Sequence, residues 1–567
     1  MLGFTNDTNE RTVSMDWIPF DTPLEKHPNK ALITYMARQF DIEPVLMHHL
    51  FIHGIDNCEK ASRFLFPTID DFHDPFLMND MKKAIIRIIK SLIQKEKILI
   101  YGDYDVDGMT ATAILYKALK KFKADVQYRL PLRSEGYGLS PKAMEKVPED
   151  VSLIITVDNG SSAHPAMEVA KRKGMDVIVT DHHEVLGPHP DCYAFINPKR
   201  HDNTYPFPHL AGAGVALKVV QALFMAGKIP WDKHVYEFIE FATLGTIADL
   251  MPLKGENRII CKLGLQKMNY TPTPVLKKLF EMLRIKYVDS STISFQIGPI
   301  FNSSGRIDDP NEAVDILINP SCTKADLYAL ITLNKKRQQM TKEQFQRIEE
   351  QIIQNQWYKQ NVIVVCDDFH SGIIGLIAAK IANKFKKPAV VISLTGAGSA
   401  RSVNSTDFSI INVIKKCSYF LTKYGGHRAA AGFSIKPDFD HIHAFREAIQ
   451  LAALEEPPLH PKLKYISTIP LHQFPMHIFD DLSVLEPFGM SFPKPLFYCS
   501  PLAIKQFQVF GKNNEHLKLT TNDKEAIAFF KGAMANKLQQ QSLAEFLYTP
   551  NCPMKKDFLI HDLRFIQ

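Results

Sequence analysis

The chain has 567 residues, with 67 Lys and Arg against 61 Asp and Glu, a formal net charge of +6. At about 100–200 residues per domain that length predicts three or four domains. Hydrophobic residues at 45% and charged residues at 23% exclude a disordered or fibrous chain, and the small basic excess permits a nucleic-acid partner without requiring one.

Residues 1–75 read as a small lead-in of helices and loops, whose polar start (Met1–Asp16) lacks the apolar stretch of a secretory leader. Residues 76–322 read as an α/β domain. Met81–Gln94 has helical apolar spacing, Lys97–Tyr101 is a short apolar strand, and it breaks into Gly102-Asp-Tyr-Asp-Val-Asp-Gly108 before a helical pattern resumes at 110–122. Strand candidates follow at 124–130, 152–157 and 175–180, the last two running into Asp158-Asn-Gly160 and Asp181-His-His-Glu184. Strands alternating with helices predict βαβ units and a mostly parallel sheet. Residues 211–350 are largely helical in pattern, with one helix over 235–249 stopped by Pro252. A long helix over 323–356 has a mostly polar middle, as a helix joining two domains does.

A second, smaller α/β domain is expected over 357–455. It has strands at 362–366 and 389–394, a helix at 373–385, a small-residue loop at 396–401, and a helix over 410–424 stopped by Gly425-Gly426. Pro457, Pro458 and Pro461 mark a linker, and 462–567 reads as a β-rich domain. No run approaches about 18 apolar residues, so no spanning helix is expected. The eight cysteines are scattered without a Cys-x-x-Cys pair; they read as free thiols in a reducing cytoplasm.

Three strands are each followed at once by acid: Asp103, Asp105 and Asp107, then Asp158, then Asp181 with His182 and His183. The carboxyl ends of neighbouring parallel strands share one edge, where ligands bind. Asp105 and Asp107 alternate, which in extended chain puts both on one side. Carboxylates so crowded would hold protons unless cations neutralised them. Mixed carboxylate and imidazole donors suit Mn²⁺ best, then Mg²⁺, with Zn²⁺ open. Two such ions could clamp the oxygens of a phosphoryl displacement.

The segments 102–113, 157–160, 181–183 and 245–249 resemble the four motifs of the DHH phosphoesterase superfamily, and Gly425–Gly432 resembles the GGH motif of its DHHA1 domain. The segments 133–139, 298–309, 371–375, 398–402 and 486–489 resemble, within that superfamily, the RecJ family of single-strand-specific 5′→3′ DNA exonucleases. The resemblance covers roughly residues 60–535. It implies a DHH domain with a mostly parallel sheet, a long connecting helix, a smaller DHHA1 domain and a C-terminal OB-like domain.

The resemblance also implies the site. Asp105, Asp107, Asp158, His182 and Asp249 would be metal ligands for two Mn²⁺ or Mg²⁺ ions, with Asp158 bridging and Asp103 a ligand or a neighbour. His183 would meet a phosphate oxygen, and Asp181 would orient His182 or brace its loop. A water would attack phosphorus in line and the 3′-oxygen would leave, with no covalent enzyme intermediate. A pocket between the two α/β domains would take the terminal 5′-phosphate through Arg133, Arg306, Ser399, Arg401 and His427, with Gly425 and Gly426 admitting close approach. The OB-like domain would bind single-stranded DNA, with Phe507, Phe510, Lys512, His516 and Lys518 as candidates. Single-strand-binding protein and a helicase would be further partners. Met109 stands where the family favours a β-branched residue, and Ser303 and Ser304 stand where it usually has alanines. Two other readings remain: another DHH phosphoesterase (a pyrophosphatase, or a cyclic-dinucleotide or short-oligonucleotide phosphodiesterase), and a binding scaffold that has lost catalysis. The second is disfavoured because every ligand position is filled.

Overall fold

The computed structural model describes residues 15–136, 138–185, 187–521, 523–538, 542–551 and 556–566. Tyr137 of the 133–139 motif and Cys552 lie outside the described residues. The chain divides into two compact units, one comprising 24–335, 469–495 and 499–567, the other 1–23, 336–468 and 496–498.

In the larger unit a five-stranded sheet runs in the order Val126–Arg129, Lys97–Tyr101, Val151–Val157, Asp176–Thr180, Ala194–Ile196. Every pairing in it is parallel. The strands are short aliphatic runs buried on both faces, as a parallel sheet between helix layers requires. Alternation divides them cleanly. Ile98, Ile100 and Ile155 join Leu115, Leu119 and Val219 in one core, while Leu99, Tyr101 and Ile154 join Met144, Met167 and Ala170 in another. The strand Ala194–Ile196, only three residues long, is too short to show a period in the sequence.

The C-terminal part of this unit is a β-rich sheet, OB-like in composition. Its strands run from Leu543–Pro550 through Phe558–Ile566, Glu525–Ala528 and His516–Thr520 to Gln506–Phe510. The lead-in supplies the helices Lys30–Phe40, Pro44–Ile52 and Cys58–Leu65. His48 and His49, each 1% exposed, are core residues, and a ring nitrogen of His49 lies 2.9 Å from the Pro493 carbonyl. Arg258, on the helix Gly255–Tyr270, ties these parts together. It donates to the carbonyls of Phe64 (2.6 Å), Leu485 (2.7 Å), Pro487 (3.0 Å) and Glu486 (3.1 Å), and its guanidinium lies over the Phe64 ring at 3.4 Å.

The smaller unit holds a sheet in the order Leu421–His427, Ala430–Ile435, Ala397–Arg401, Ala389–Ser393, Ile363–Asp367. Only the last pair is parallel. Two expectations are corrected here. The small-residue segment 396–401 is a strand rather than a loop: Gly398 lies under the Phe433 ring, where a Cβ would come within 2.2 Å, so smallness serves cross-strand packing. The helix expected over 410–424 ends at Lys416, and Leu421–His427 is a strand. Pairing with Ala430–Ile435 overrides the local helical pattern. The short strand Asp16–Pro19 pairs in parallel with Lys462–Tyr465. The long polar helix spans Lys324–Gln354, its first part in the larger unit and the rest in the smaller.

Replacing Arg258 leaves several buried carbonyls unmet, at about 1–3 kcal/mol each. Arg258→Met is expected to lower unfolding stability by about 3–5 kcal/mol, read as a fall in the urea midpoint at unchanged slope. A shift below about 1 kcal/mol would contradict this anchoring role.

Candidate metal centre

The strand Lys97–Tyr101 delivers the first acidic loop to the sheet edge. Asp105 is the N-cap of the helix Val106–Lys121, its Oδ1 accepting from Gly108 N at 3.1 Å. Asp107 lies in the first turn of that helix. Asp105 and Asp107 are therefore brought together by a cap and a helical turn, not by the extended alternation expected from the sequence. Both oxygens of Asp107 accept backbone N–H groups, Oδ2 from Gly212 (2.6 Å) and Oδ1 from Ala213 (2.8 Å). These are the first two residues of the helix Gly212–Ala226, whose positive end favours a carboxylate. Asp158 follows the strand Val151–Val157 in left-handed backbone, φ 63°, a conformation that Asp tolerates better than most residues. His182 follows Asp176–Thr180, and Asp249 is the C-cap of the helix Ile239–Ala248.

These groups meet. His182 Nε2 lies 3.0 Å from Asp158 Oδ1, 3.6 Å from Asp107 Oδ2 and 3.7 Å from Asp249 Oδ2. Three sets of donors converge within 4.8 Å: Asp158, His182 and His183; Asp107, His182 and Asp249; Asp103, Asp105 and Asp158. Asp158 and His182 each belong to two sets. Glycines make the space: a Cβ at Gly212 would come within 2.5 Å of Asp158 Cβ, and one at Gly245 within 2.5 Å of Asp107 Oδ1. Gly212, Ala213 and Gly245 hold the cluster without bearing chemistry; in the sequence Gly245 opens the 245–249 motif, and only the run of small residues Ala211-Gly-Ala-Gly214 hints at the other two.

Burial raises all four deep carboxyls, and their neighbours raise them further. Burial and the Asp105 charge push Asp107 up to about 7. Burial and Asp107 push Asp249 up to about 8. Asp103 and Asp158 are lifted well above the carboxylate range by burial and by adjacent aspartates. Burial and the His183 charge hold His182 down at about 3, so it is a neutral acceptor. A buried, largely acidic donor set of this kind fits divalent cations, with Mn²⁺ or Mg²⁺ matching its oxygens and imidazoles.

Asp181, expected to orient His182 or to brace its loop, bonds the loop backbone and the His183 ring rather than the His182 ring. Its Oδ1 lies 2.8 Å from His183 Nδ1 and accepts from the backbone N–H groups of His182 (2.7 Å) and His183 (3.2 Å), while Oδ2 accepts from Ser161 N (2.9 Å). Among the described residues it belongs to no three-donor set. Burial opposes the charge on His183, but the Asp181 carboxylate lifts its pKa to about 9.

Arg133 lies with its guanidinium 4.9 Å from the Tyr104 ring. Arg306, on the helix Gly298–Ile307, follows Gly305, where a Cβ would come within 1.8 Å of the Tyr104 carbonyl oxygen. Asn302 Oδ1 on the same helix accepts from Val106 N at 3.2 Å. The unusual Ser303 and Ser304 turn their hydroxyls back onto the carbonyls of Ile300 (2.6 Å) and Phe301 (2.8 Å), so the helix absorbs them.

In the smaller unit Ser399 and Arg401 share one face of the strand Ala397–Arg401. The registers Arg401–Ala430–His427 and Ser399–Gly432–Gly425 extend that face across three strands. A Cβ at Gly425 or Gly432 would meet nothing within 4 Å, so the face is open there. Arg401 donates to Ser399 Oγ (3.1 Å) and Ala400 O (2.8 Å), and burial lowers its pKa. No carboxylate among the described residues is bonded to it. Gly426 has φ 148° and lies against Ala430 and Ala431. On the β-rich sheet, Phe510, Phe529 and Phe530 surround the His516 ring at 5.1, 5.0 and 5.1 Å. Phe530 is 80% exposed and Phe507 38%. Lys512 is exposed, and Lys518 pairs with Glu525 at 2.6 Å.

The raised carboxyls bind protons more tightly folded than unfolded. Without metal, their contribution to stability is therefore present below an unfolded pKa of about 4 and is lost as pH rises towards the folded values of about 7 and 8. Bound Mn²⁺ needs the ionised forms. The Tm difference between Mn²⁺-loaded and chelator-treated protein is expected to grow between about pH 5 and pH 8. A difference independent of pH, followed by scanning calorimetry, would contradict this electrostatic picture.

Residues 97–246 match the DHH family, N-terminal domain, residues 359–453 the DHHA1 domain, and residues 467–553 the RecJ OB domain. The chain is 34% identical to the single-stranded-DNA-specific exonuclease RecJ of Bacillus subtilis over 90% of its own length and 66% of the relative's. It thus spans just under two thirds of that protein. It is 30% identical to the Salmonella typhimurium protein of the same name over 81% of this chain and 83% of that one. The crystal structure of RecJ from Thermus thermophilus in complex with Mn²⁺ superposes with a TM-score of 0.81 at 24% identity, covering 97% of this chain and 80% of that one. With its parallel-sheet domain, its second α/β domain and its C-terminal β-rich sheet, the chain belongs to the RecJ family.

Proposed function

We propose that this chain degrades single-stranded DNA from its 5′ end, hydrolysing phosphodiester bonds to release 5′-mononucleotides in DNA repair and recombination. The observation that carries the reading is the convergence of five aspartates and two histidines on one edge of a parallel sheet, in a chain that also has a RecJ-type OB domain. That last domain weighs against a pyrophosphatase or a dinucleotide phosphodiesterase, whose small substrates need no strand-binding surface.

Asp105, Asp107, Asp158, His182 and Asp249, with Asp103 beside them, would hold two Mn²⁺ or Mg²⁺ ions, Asp158 serving both. Bound there, the ions supply a water of lowered pKa and neutralise the phosphate under attack. His183, kept protonated by Asp181, offers its other ring N–H to a phosphate oxygen. Arg133 and Arg306, beside Tyr104, give the strand's phosphates fixed positive charge. Ser399, Arg401 and His427 receive the terminal 5′-phosphate, for which the planar guanidinium has matched geometry. Gly425 and Gly426 let the nucleotide approach the backbone. The ring cluster about His516, with Phe507 and Lys512, offers bases a stacking surface and the backbone a cation.

A nuclease of exposed single strands works on DNA that other proteins unwind and coat, so single-strand-binding protein and a helicase are its proposed partners. The seven described cysteines are unpaired, in keeping with a reducing cytoplasm. Among the described residues no helix is long and apolar enough to cross a membrane.

The polarity of digestion tests the reading directly. Strands labelled at the 5′ end should release labelled mononucleotide at the earliest times, while 3′-labelled strands shorten progressively. Early mononucleotide from the 3′ label would refute it. Asp158→Asn should cost about 4 kcal/mol in the transition state, roughly a thousandfold in rate, while binding of single strands by fluorescence anisotropy stays near wild type. Arg401→Ala should reduce the preference for phosphorylated over hydroxyl 5′ ends by about tenfold, the worth of one charge-assisted contact. An unchanged ratio would remove Arg401 from end recognition.

A further inference from the structure

Three consecutive polar residues at the start of the helix Gly255–Tyr270, Glu256, Asn257 and Arg258, are at most 1% exposed. Polar groups buried so fully persist for the bonds they make. Glu256 accepts from Lys218 Nζ (2.9 Å), from His73 N (3.1 Å) and from the Tyr205 hydroxyl. Arg258 meets the four carbonyls described above. Asn257 is different. Its Nδ2 donates to the carbonyls of His209 (2.5 Å) and Pro252 (3.1 Å), while its Oδ1 is buried with no partner among the described residues. Both donors are used and the acceptor is idle, so the amide acts as a donor alone.

Those two carbonyls belong to two different walls of the candidate metal centre. Pro252 lies three residues after Asp249, and His209 three residues before Gly212, whose N–H holds Asp107. Both links are short and stiff. After Asp249 the chain turns through Leu250 in left-handed backbone, φ 56°, with Met251 N bonded to Thr246 O at 3.1 Å. Leu253 N then bonds to Met490 O at 2.9 Å, and Gly489 sits so close that a Cβ there would come within 2.7 Å of the Leu253 side chain. On the other side Phe207 lies over Gly255, where a Cβ would come within 2.6 Å of the ring. One wall is thus pressed onto the start of this helix and the other is tied to Met490, and one amide joins the two.

We propose that Asn257 is a positioning residue that sets the spacing of Asp107 and Asp249, and through it the affinity of the Asp107–His182–Asp249 set for a divalent cation. The inference rests on the metal-centre reading above and adds the residue that tunes it. Groups that orient ligands from behind commonly change affinity by about 10–100-fold when lost.

The test uses the full-length protein, stripped by chelator and titrated with Mn²⁺ by calorimetry. Asn257→Leu keeps the γ-branched shape but removes both donors; Asn257→Ser keeps one donor and serves where the leucine variant shows no cooperative melt. Either folded variant should bind Mn²⁺ at one site about 10–100-fold more weakly than wild type. Its turnover should recover as Mn²⁺ is raised, and its preference for phosphorylated 5′ ends should not change. Folded variants with the wild-type isotherm would overturn the proposal. A wild-type chain that takes up no Mn²⁺ would instead remove the metal-centre reading itself, and this inference with it.

Discussion

Buried negative charges repel, and this molecule places five aspartates where they must do so. Asp103, Asp107 and Asp158 are each at most 2% exposed, and burial together with neighbouring carboxylates drives all three away from ionisation. Such a cluster is costly unless cations or donors neutralise it. Much of the surrounding architecture serves that end. Gly212 and Ala213 turn the positive end of a helix on Asp107, Gly108 N–H meets Asp105, and Ser161 N–H meets Asp181. The parallel sheet matters because it brings strand ends separated widely in sequence to one edge.

The same constraint divides labour between the two histidines of one dipeptide. His182 is buried and neutral, a donor of a lone pair. His183 is held charged by Asp181 and remains 44% exposed on its side chain, so it faces what arrives from solvent. Neighbouring imidazoles with opposite protonation states thus stand at one strand end, one turned to the buried carboxylates and the other to solvent.

Much of this was legible before any coordinates. The runs 97–101, 152–157 and 175–180 are aliphatic and end in acid, so the sheet and its reactive edge could be read from period and punctuation. Asp249 could not: it stands at the end of a helix whose pattern says nothing of where that end points, and only the resemblance supplied it. Asn257 was invisible for a related reason, since its meaning lies in two carbonyls, and carbonyls carry no sequence signature. The segments 396–401 and 417–424 were misread because small and mixed residues have weak local preference. Tertiary pairing decided them, through the Phe433 ring over Gly398 and the ladder to Ala430–Ile435.

The strand Leu421–His427 ends its sheet and is exposed along nearly its whole length. Such an outer ribbon is a ready template for a second chain, and self-association is its characteristic hazard. This one is a poor template. Its register shifts between Leu421 and Lys423, Lys423 adds charge, and the two glycines that follow weaken any added ladder. The bareness of this strand therefore guards the protein against aggregation, and bulky aliphatic residues at Gly425 and Gly426 would remove that protection.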